Sequence, residues 1–212
     1  MQPIFITGIG TDVGKTVVSA IITEALEADY WKPVQAGYDD GTDSEWVNKM
    51  LSNDKSTIYP EAYKLKTPAS PHIAARKESI QIDLDYIRRC YDQRPTTNGQ
   101  LIIEGAGGLM VPLNEKEFVI DLIKRLDAKV ILVSRNYLGS INHSLLTAEV
   151  CKQHKLNVIG WIFNDNYLHY EEEIVKWSGY PKIGSVDYVL EVDKAFIKNN
   201  AAILRNRLIE LL

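Results

Sequence analysis

The sequence predicts an α/β fold with a single doubly wound, mostly parallel sheet and helices on both of its faces. Short β-branched apolar runs alternate along the chain with longer segments of helical periodicity. The runs are almost continuously apolar, which is typical of strands buried on both faces. A chain of 212 residues that is 45% hydrophobic and 25% charged has the size and composition of one large domain, so we expect a single domain over residues 1–212.

The elements follow from these patterns in chain order. Strands are predicted over 4–7, 30–34, 101–104, 130–134, 158–163 and 182–186. Helices are predicted over 15–28, 44–51, 83–92, 118–126, 140–155, 170–178 and 193–212, with Asp83 and Asp193 as N-caps. Residues 53–76 contain three prolines and no clear period, so we expect them to be irregular, apart from a short helix that Ser70-Pro71-His72 opens.

A glycine-rich segment between the first strand and the first helix is the strongest motif. Residues 8–16 read Gly-Ile-Gly-Thr-Asp-Val-Gly-Lys-Thr. Backbone N–H groups of such a loop bind phosphate oxygens, Lys15 reaches the outer phosphates and the Thr16 hydroxyl ligates Mg²⁺. Five residues separate Gly8 from Gly14, where the common loop has about four. The alternative is a glycine-rich turn that caps an ordinary helix, but the strand–loop–helix context favours nucleotide binding.

Charged side chains also follow two later strands. Glu104 ends an otherwise apolar strand before Gly105, Gly107 and Gly108, and a buried carboxylate there requires a cationic partner. The position is that of the acidic residue that helps hold Mg²⁺ in phosphate-loop enzymes. Lys32, in Lys-Pro-Val-Gln-Ala-Gly, has two interpretations. It brings a second positive charge near the phosphates, or it is a solvated lysine at the end of a strand. Ligands bind beyond the carboxyl ends of parallel strands, and both residues fall at such ends.

Three further segments each have a functional and a structural interpretation. Asp43 precedes a helix and is by itself a helix-start acid. The start of the helix near Ser140 is an anion site or simply a serine-capped helix. Asn164 suits the edge of a purine base or a turn. His143 has no Cys or His at ligand spacing, so we interpret it as a structural or surface residue.

Composition excludes several classes of function. There are 24 basic and 28 acidic residues, for a net charge of −4, and no basic block that would bind nucleic acid. Cys90 and Cys151 form neither a disulfide framework nor a zinc spacing. The sequence shows neither a signal-peptide pattern nor an apolar segment of about 20 residues that could span a membrane. We therefore expect a cytoplasmic protein without membrane or nucleic-acid partners.

Taken in order, these segments resemble the dethiobiotin synthetase family, the ATP-dependent ligases of biotin biosynthesis. The matching pieces cover nearly the whole chain: Thr7-Gly8 to Gly14-Lys15-Thr16, Lys32-Pro33-Val34-Gln35, Ser70-Pro71-His72, Glu104 to Gly108, Gly139 to His143 and Gly160-Trp161. The lengthened phosphate loop is itself typical of that family. The resemblance implies a fold of the P-loop NTPase type.

The resemblance also implies a reaction. An amine of 7,8-diaminopelargonate takes up CO₂, the resulting carbamate attacks the γ-phosphate of ATP, and the second amine closes the ureido ring, giving dethiobiotin, ADP and phosphate. ATP is the co-substrate and Mg²⁺ the cofactor. Such chemistry depends mostly on positioning and charge stabilisation.

Residue roles are carried over by the same resemblance. The resemblance implies that Lys32, Lys15 and Thr11 are the catalytic residues. It implies Thr16, Asp43 and Glu104 as the metal ligands. The nucleotide is bound by Asp12, Val13, Gly14, Lys15, Thr16, Val17, Asp43, Glu104, Gly105, Ala106, Gly107, Asn164 and Asp165. The diamine and its carbamate contact Thr11, Lys15, Lys32, Gly107, Gly108, Gly139, Ser140, Ile141 and Asn142.

In this family the start of the helix at 139–142 receives the substrate carboxylate across a dimer interface, so a homodimer with its active site at the interface is implied. Two positions depart from the family. Ala36 stands where Ser or Thr is usual, which leaves one substrate contact to be made by another group. Asp187 stands where proline is usual, which leaves the nucleotide contact there and the preference among triphosphates open.

Rival enzymes and ATPases fit less well. Cobyrinate-type amide ligases normally carry an additional glutaminase domain, for which 212 residues leave no room. Partition and cell-division ATPases carry a signature lysine early in the loop, where this chain has Gly10. A small-molecule kinase requires a lid, for which only residues 53–76 are available.

Overall fold

A seven-stranded sheet forms the centre of the molecule in a computed structural model that describes residues 2–94 and 98–212. Its strands lie in the order β4-β2-β6-β1-β7-β8-β9, and each neighbouring pair is parallel. Their bounds are β1 Ile4–Gly8, β2 Asp29–Trp31, β4 Ile58–Tyr59, β6 Leu101–Gly108, β7 Lys129–Arg135, β8 Val158–Asn164 and β9 Lys182–Val186. The predicted parallel sheet is therefore confirmed.

Helices pack on both faces of this sheet because the apolar strands expose side chains to both sides. One buried cluster joins the sheet to α1 Lys15–Leu26, α2 Asp43–Met50 and α8 Lys194–Leu211. The other joins it to α3 Pro71–Lys77, α4 Leu84–Asp92, α5 Val119–Arg125, α6 Ser140–Gln153 and α7 Glu171–Ser178. The doubly wound arrangement is thus the observed one.

Helix ends agree with the capping residues that the sequence contains. Asp83 caps α4 by accepting a hydrogen bond from Asp85 N, and Asp193 caps α8 by accepting one from Phe196 N, as predicted. Along α8 an apolar stripe is buried at Ile197, Ala201, Leu204 and Leu208, and partly buried at Leu211.

Three segments differ from the sequence prediction. The strand expected over 101–104 continues as β6 to Gly108, so Glu104 lies within the strand rather than at its end. The strand expected over 30–34 is divided, because Lys32-Pro33 separates β2 from β3 Val34–Ala36, which pairs with β5 Tyr63–Leu65 in a separate two-stranded sheet. Proline lacks the N–H that would continue the ladder. Residues 53–76, expected to be mostly irregular, hold β4, β5 and the start of α3. Strands of two or three residues are too short to show a period.

Candidate active site

The phosphate loop connects β1, in the middle of the sheet, to α1. Gly14 is the N-cap of α1 and has φ +86°, a left-handed conformation that glycine adopts without strain. Lys15 begins the helix, is buried, and donates from Nζ to the carbonyl of Gly10 at 2.9 Å. The loop thus presents the amides at the start of α1, together with one lysine, at the carboxyl edge of the sheet.

Glu104 lies at the same edge, on the neighbouring strand β6, and is only 1% exposed. Its Oε1 accepts hydrogen bonds from Thr16 Oγ1 at 2.9 Å and from Lys32 Nζ at 2.8 Å. Its Oε2 accepts from the Tyr30 hydroxyl at 2.9 Å. The cationic partner predicted for this carboxylate is therefore Lys32, and both carboxylate oxygens are satisfied.

Lys32 forms a second ion pair with Asp43, the first residue of α2. Burial would lower the pKa of Lys32, but the carboxylates of Glu104 and Asp43 outweigh it, so that its pKa is raised above 10.5. Lys32 is therefore protonated at neutral pH, and its charge lies between two carboxylates rather than in solvent.

Lys15 behaves in the opposite way. Burial lowers its pKa and the nearby charge of Lys32 adds to this, while Glu104 and Asp43 only partly compensate. Two lysines whose pKa values are shifted in opposite directions thus line the same cavity, at the position where phosphates bind a loop of this kind.

A cavity of about 790 Å³ collects most of the predicted residues. Predicted residues in its wall are Thr11, Asp12, Gly14, Lys15, Thr16, Val17, Lys32, Asp43, Glu104, Ala106 and Gly107. It is also lined by Val34, Gln35, Ala36, Val111 and residues 68–71. The two lysines and two carboxylates predicted from separate parts of the sequence therefore lie together.

A second cavity of about 210 Å³ adjoins the first and shares Asp12, Gly14 and Val17 with it. Asn164 and Asp165 line it together with Val13, Arg135, Val192, Phe196 and residues 186–189. Asn164 Nδ2 donates to the carbonyl of Val13 at 2.5 Å. This amide therefore holds the phosphate loop through its Nδ2 while the residue lines the cavity.

Other predicted residues lie outside both cavity walls. Residues 139–142 form the start of α6, where the Ser140 hydroxyl is buried against the Tyr170 hydroxyl at 2.6 Å. Gly105 packs against β1, and a Cβ there would lie 2.6 Å from Phe5 Cε1. Gly108 ends β6 without lining either cavity.

Two polar residues in contact with the site were given no role in the sequence analysis. Gln35 lines the cavity and accepts from the backbone N–H of Asp43 at 3.3 Å, while Tyr30 contacts Glu104. Gln35 lies in the segment 32–37 that the sequence did single out. Tyr30 gave no signal, since a tyrosine in an apolar strand is ordinary core.

The donor set of Thr16, Asp43 and Glu104 fits Mg²⁺ in its chemistry, because all three offer oxygen atoms to the same cavity. The Thr16 hydroxyl donates a hydrogen bond to Glu104, which leaves the lone pairs of its oxygen for a cation. Across residues 2–94 and 98–212, His, Cys, Asp and Glu side chains form no group of three or more that could hold a metal ion. Magnesium bound with a nucleotide requires only one or two carboxylates, since phosphates supply the other ligands.

Comparison with known proteins places the chain in a family. A family model described as an AAA domain matches residues 2–195. The ATP-dependent dethiobiotin synthetase of Christiangramia forsetii is 49% identical over 208 residues, 98% of each chain. That of Cytophaga hutchinsonii is 54% identical over 182 residues, 85% of each chain. The chain belongs to the dethiobiotin synthetase family. The resemblance drawn from the sequence is thereby confirmed, and with it the expectation of an ATP-dependent ligase.

Solved structures similar to this dethiobiotin synthetase family member are cell-division and partition ATPases. The MinD ATPase of Pyrococcus furiosus superposes with a TM-score of 0.60, at 15% identity and with full coverage of both chains. A ParA family ATPase of Chlorobium tepidum gives 0.57 at 12% identity, covering 99% and 96% of the chains. At such identities the likeness shows the shared fold alone. No helix in the described part of the chain has both the length and the apolarity needed to cross a membrane.

Proposed function

We propose that this chain, as one ligase domain, converts 7,8-diaminopelargonate, CO₂ and ATP into dethiobiotin, ADP and phosphate in biotin biosynthesis. The observation that carries the proposal is the convergence of Lys15, Lys32, Thr16 and Glu104 on one cavity, in a chain 49% identical to a dethiobiotin synthetase along nearly its whole length. The carbamate formed from one amine and CO₂ attacks the γ-phosphate, and the second amine then closes the ring and expels phosphate.

Each positive group has a place in this reaction. The loop amides and Lys15 bind the phosphates, as the start of α1 favours. Lys32, which stays protonated because of Glu104 and Asp43, neutralises charge on the carbamate and on the phosphoryl group in transit. Thr11 and Gly107 line the same cavity, and in the proposed reaction both contact the carbamate.

Magnesium is the proposed cofactor, held by Thr16, Asp43 and Glu104 together with the phosphates. When bound, it supplies Lewis-acid stabilisation of the charge on the β- and γ-phosphates. Asn164 and Asp165, in the adjoining cavity, border the base of the nucleotide.

A homodimer completes the proposed site, with residues 139–142 of one subunit binding the substrate carboxylate for its partner. Two features support this. Helix α6 begins at Ser140 after Gly139, whose φ is +104°, and its first turn has no side-chain cap among the described residues. The N–H of Ser140 donates to the carbonyl of Tyr137, so the N–H groups of Ile141 and Asn142 are the ones proposed to bind the anion. The adjacent Leu138 is 87% exposed, which suits a surface that becomes covered by a second subunit.

The test is phosphate release with ATP, Mg²⁺, bicarbonate and 7,8-diaminopelargonate, and dethiobiotin identified by mass spectrometry. We expect phosphate and dethiobiotin in equal amounts. The control omits the diamine, and equal phosphate release with and without it would overturn the proposal in favour of a nucleotide-hydrolysing ATPase.

A further inference from the structure

Tyr30 lies outside both cavity walls and contacts Glu104 from the core, and the proposed reaction assigns it no part. Its side chain is fully buried, and its hydroxyl donates to Glu104 Oε2 at 2.9 Å. Among the described residues, the cavity-lining Thr16 and Lys32 donate their hydrogen bonds to the other oxygen, Oε1. The two oxygens of Glu104 therefore have separate partners, one from the core and two from the cavity wall.

Strand geometry explains how Tyr30 reaches this place. Strand β2 pairs with β6 with Tyr30 opposite Ile102, and Ile102 and Glu104 point to the same face because they are two residues apart. Tyr30 and Ile102 belong to the core cluster between the sheet and α1, and Thr16 is in the first turn of that helix. The phenol thus lies under the carboxylate on the face from which the phosphate loop approaches.

The hydroxyl donates to the carboxylate rather than competing with it for a proton. A phenol has an O–H to donate and an ionised carboxylate can only accept, so the hydrogen bond runs from Tyr30 to Glu104. The terminal torsion of a glutamate is broad, so without a fixed partner on one oxygen its plane could rotate. A rigid, packed donor on Oε2 removes that freedom.

We propose that Tyr30 is a positioning residue for magnesium: it holds Oε2 of Glu104 so that Oε1 faces Thr16 and the cavity. This inference rests on the proposed function, in which Glu104 is a metal ligand. Partners that orient a metal ligand in this way typically change metal affinity by about 10–100-fold when removed. No contact of Tyr30 with the metal or the substrates is required.

The test measures magnesium coupling rather than turnover. Binding of the non-hydrolysable analogue AMPPNP is titrated calorimetrically with and without saturating Mg²⁺. The dissociation constant without Mg²⁺ is divided by the one with Mg²⁺, and this ratio is compared between variants. Tyr30→Phe should reduce this ratio roughly tenfold, with little change in metal-free binding. Tyr59→Phe is the matched control. Tyr59 is on the adjacent strand β4, and its buried hydroxyl donates to Asp29 of β2. Removal of this hydroxyl should leave the ratio unchanged.

Glu104→Gln and the double variant separate the possible failures. If Tyr30 acts through Glu104, Tyr30→Phe has no further effect on the ratio in the Glu104→Gln protein. If wild type shows no magnesium coupling, or Glu104→Gln keeps it, the proposed metal site is wrong and the inference fails with it. If Glu104→Gln loses coupling while Tyr30→Phe keeps it, only the inference about Tyr30 is overturned.

A second variant covers the case in which Tyr30→Phe does not fold, as shown by near-ultraviolet circular dichroism. Tyr30→4-aminophenylalanine keeps the ring and a weaker donor at the same place. The proposal then predicts a coupling ratio a few-fold below wild type, and a ratio equal to wild type overturns it. A role in stability alone would lower the melting temperature of either variant without changing the coupling.

Discussion

Replacing Lys32 by glutamine gives the sharpest test of the site, because it removes one charge from between two carboxylates. Lys32 is 6% exposed, and its Nζ lies 2.8 Å from Glu104 Oε1. At that distance and an effective dielectric constant of about 20, the attraction is roughly 6 kcal/mol before the cost of burial is subtracted. Breaking a buried pair by removing one partner typically costs about 3–5 kcal/mol. We expect Lys32→Gln to lower the free energy of unfolding by about that amount.

The effect on catalysis should be larger than the effect on nucleotide binding. Removing one group that stabilises transition-state charge typically costs about 10²–10³ in kcat. Lys15 and the loop amides remain, so the dissociation constant of ADP should change by no more than about threefold. Stability is measured by urea unfolding, kcat by phosphate release well below the melting temperature, and ADP binding by calorimetry. Lys55→Gln is the control, since its ion pair with Glu27 is exposed and exposed pairs contribute about 0–1 kcal/mol.

The dependence on pH provides an internal check. Because the folded-state pKa of Lys32 is raised above 10.5, its contribution to stability is fully present below pH 10.5 and is lost as the pH rises through the folded-state value. The stability difference between wild type and Lys32→Gln should therefore be constant at neutral pH and shrink only at strongly alkaline pH. A loss of kcat and ADP affinity by the same factor, or a stability difference that grows with pH, would refute the reasoning.

Three other predictions concern separate parts of the site. Glu104→Gln should raise the Mg²⁺ concentration for half-maximal activity at least about tenfold, and an unaltered Mg²⁺ titration would remove Glu104 from the metal site. Asn164→Ala removes the hydrogen bond to the carbonyl of Val13. Because one such bond contributes about 1 kcal/mol, ATP binding measured by calorimetry should weaken about fivefold. An unchanged affinity would show that this contact does not support the loop. Leu138→Asp places a charge beside the start of α6 and should convert a sedimenting dimer to monomer with loss of turnover; a fully active monomer would contradict the shared site.

The sequence alone determined the features that arise from local spacing. The phosphate loop, the order along the chain of the longer strands and helices, and the caps at Asp83 and Asp193 follow from short-range chemistry and were found in the structure. The short strands β4 and β5 were not predicted. The need of Glu104 for a cationic partner could also be predicted, because an unpaired buried carboxylate is costly. The family was likewise readable from motifs in order, and relatives along nearly the whole chain confirm it.

Only the tertiary structure decided which groups meet. Tyr30 and Glu104 are 74 residues apart and Asn164 and Val13 are 151 apart, so no local pattern connects them. The pairing of β2 with β6 brings the first contact about, and the position of β8 beside the phosphate loop brings about the second. The division of the strand predicted over 30–34 has the same origin, because the partner of β3 is β5, outside the main sheet. Residue type and spacing specify what each group can do, whereas strand register determines the distance between groups and therefore the electrostatics of the site.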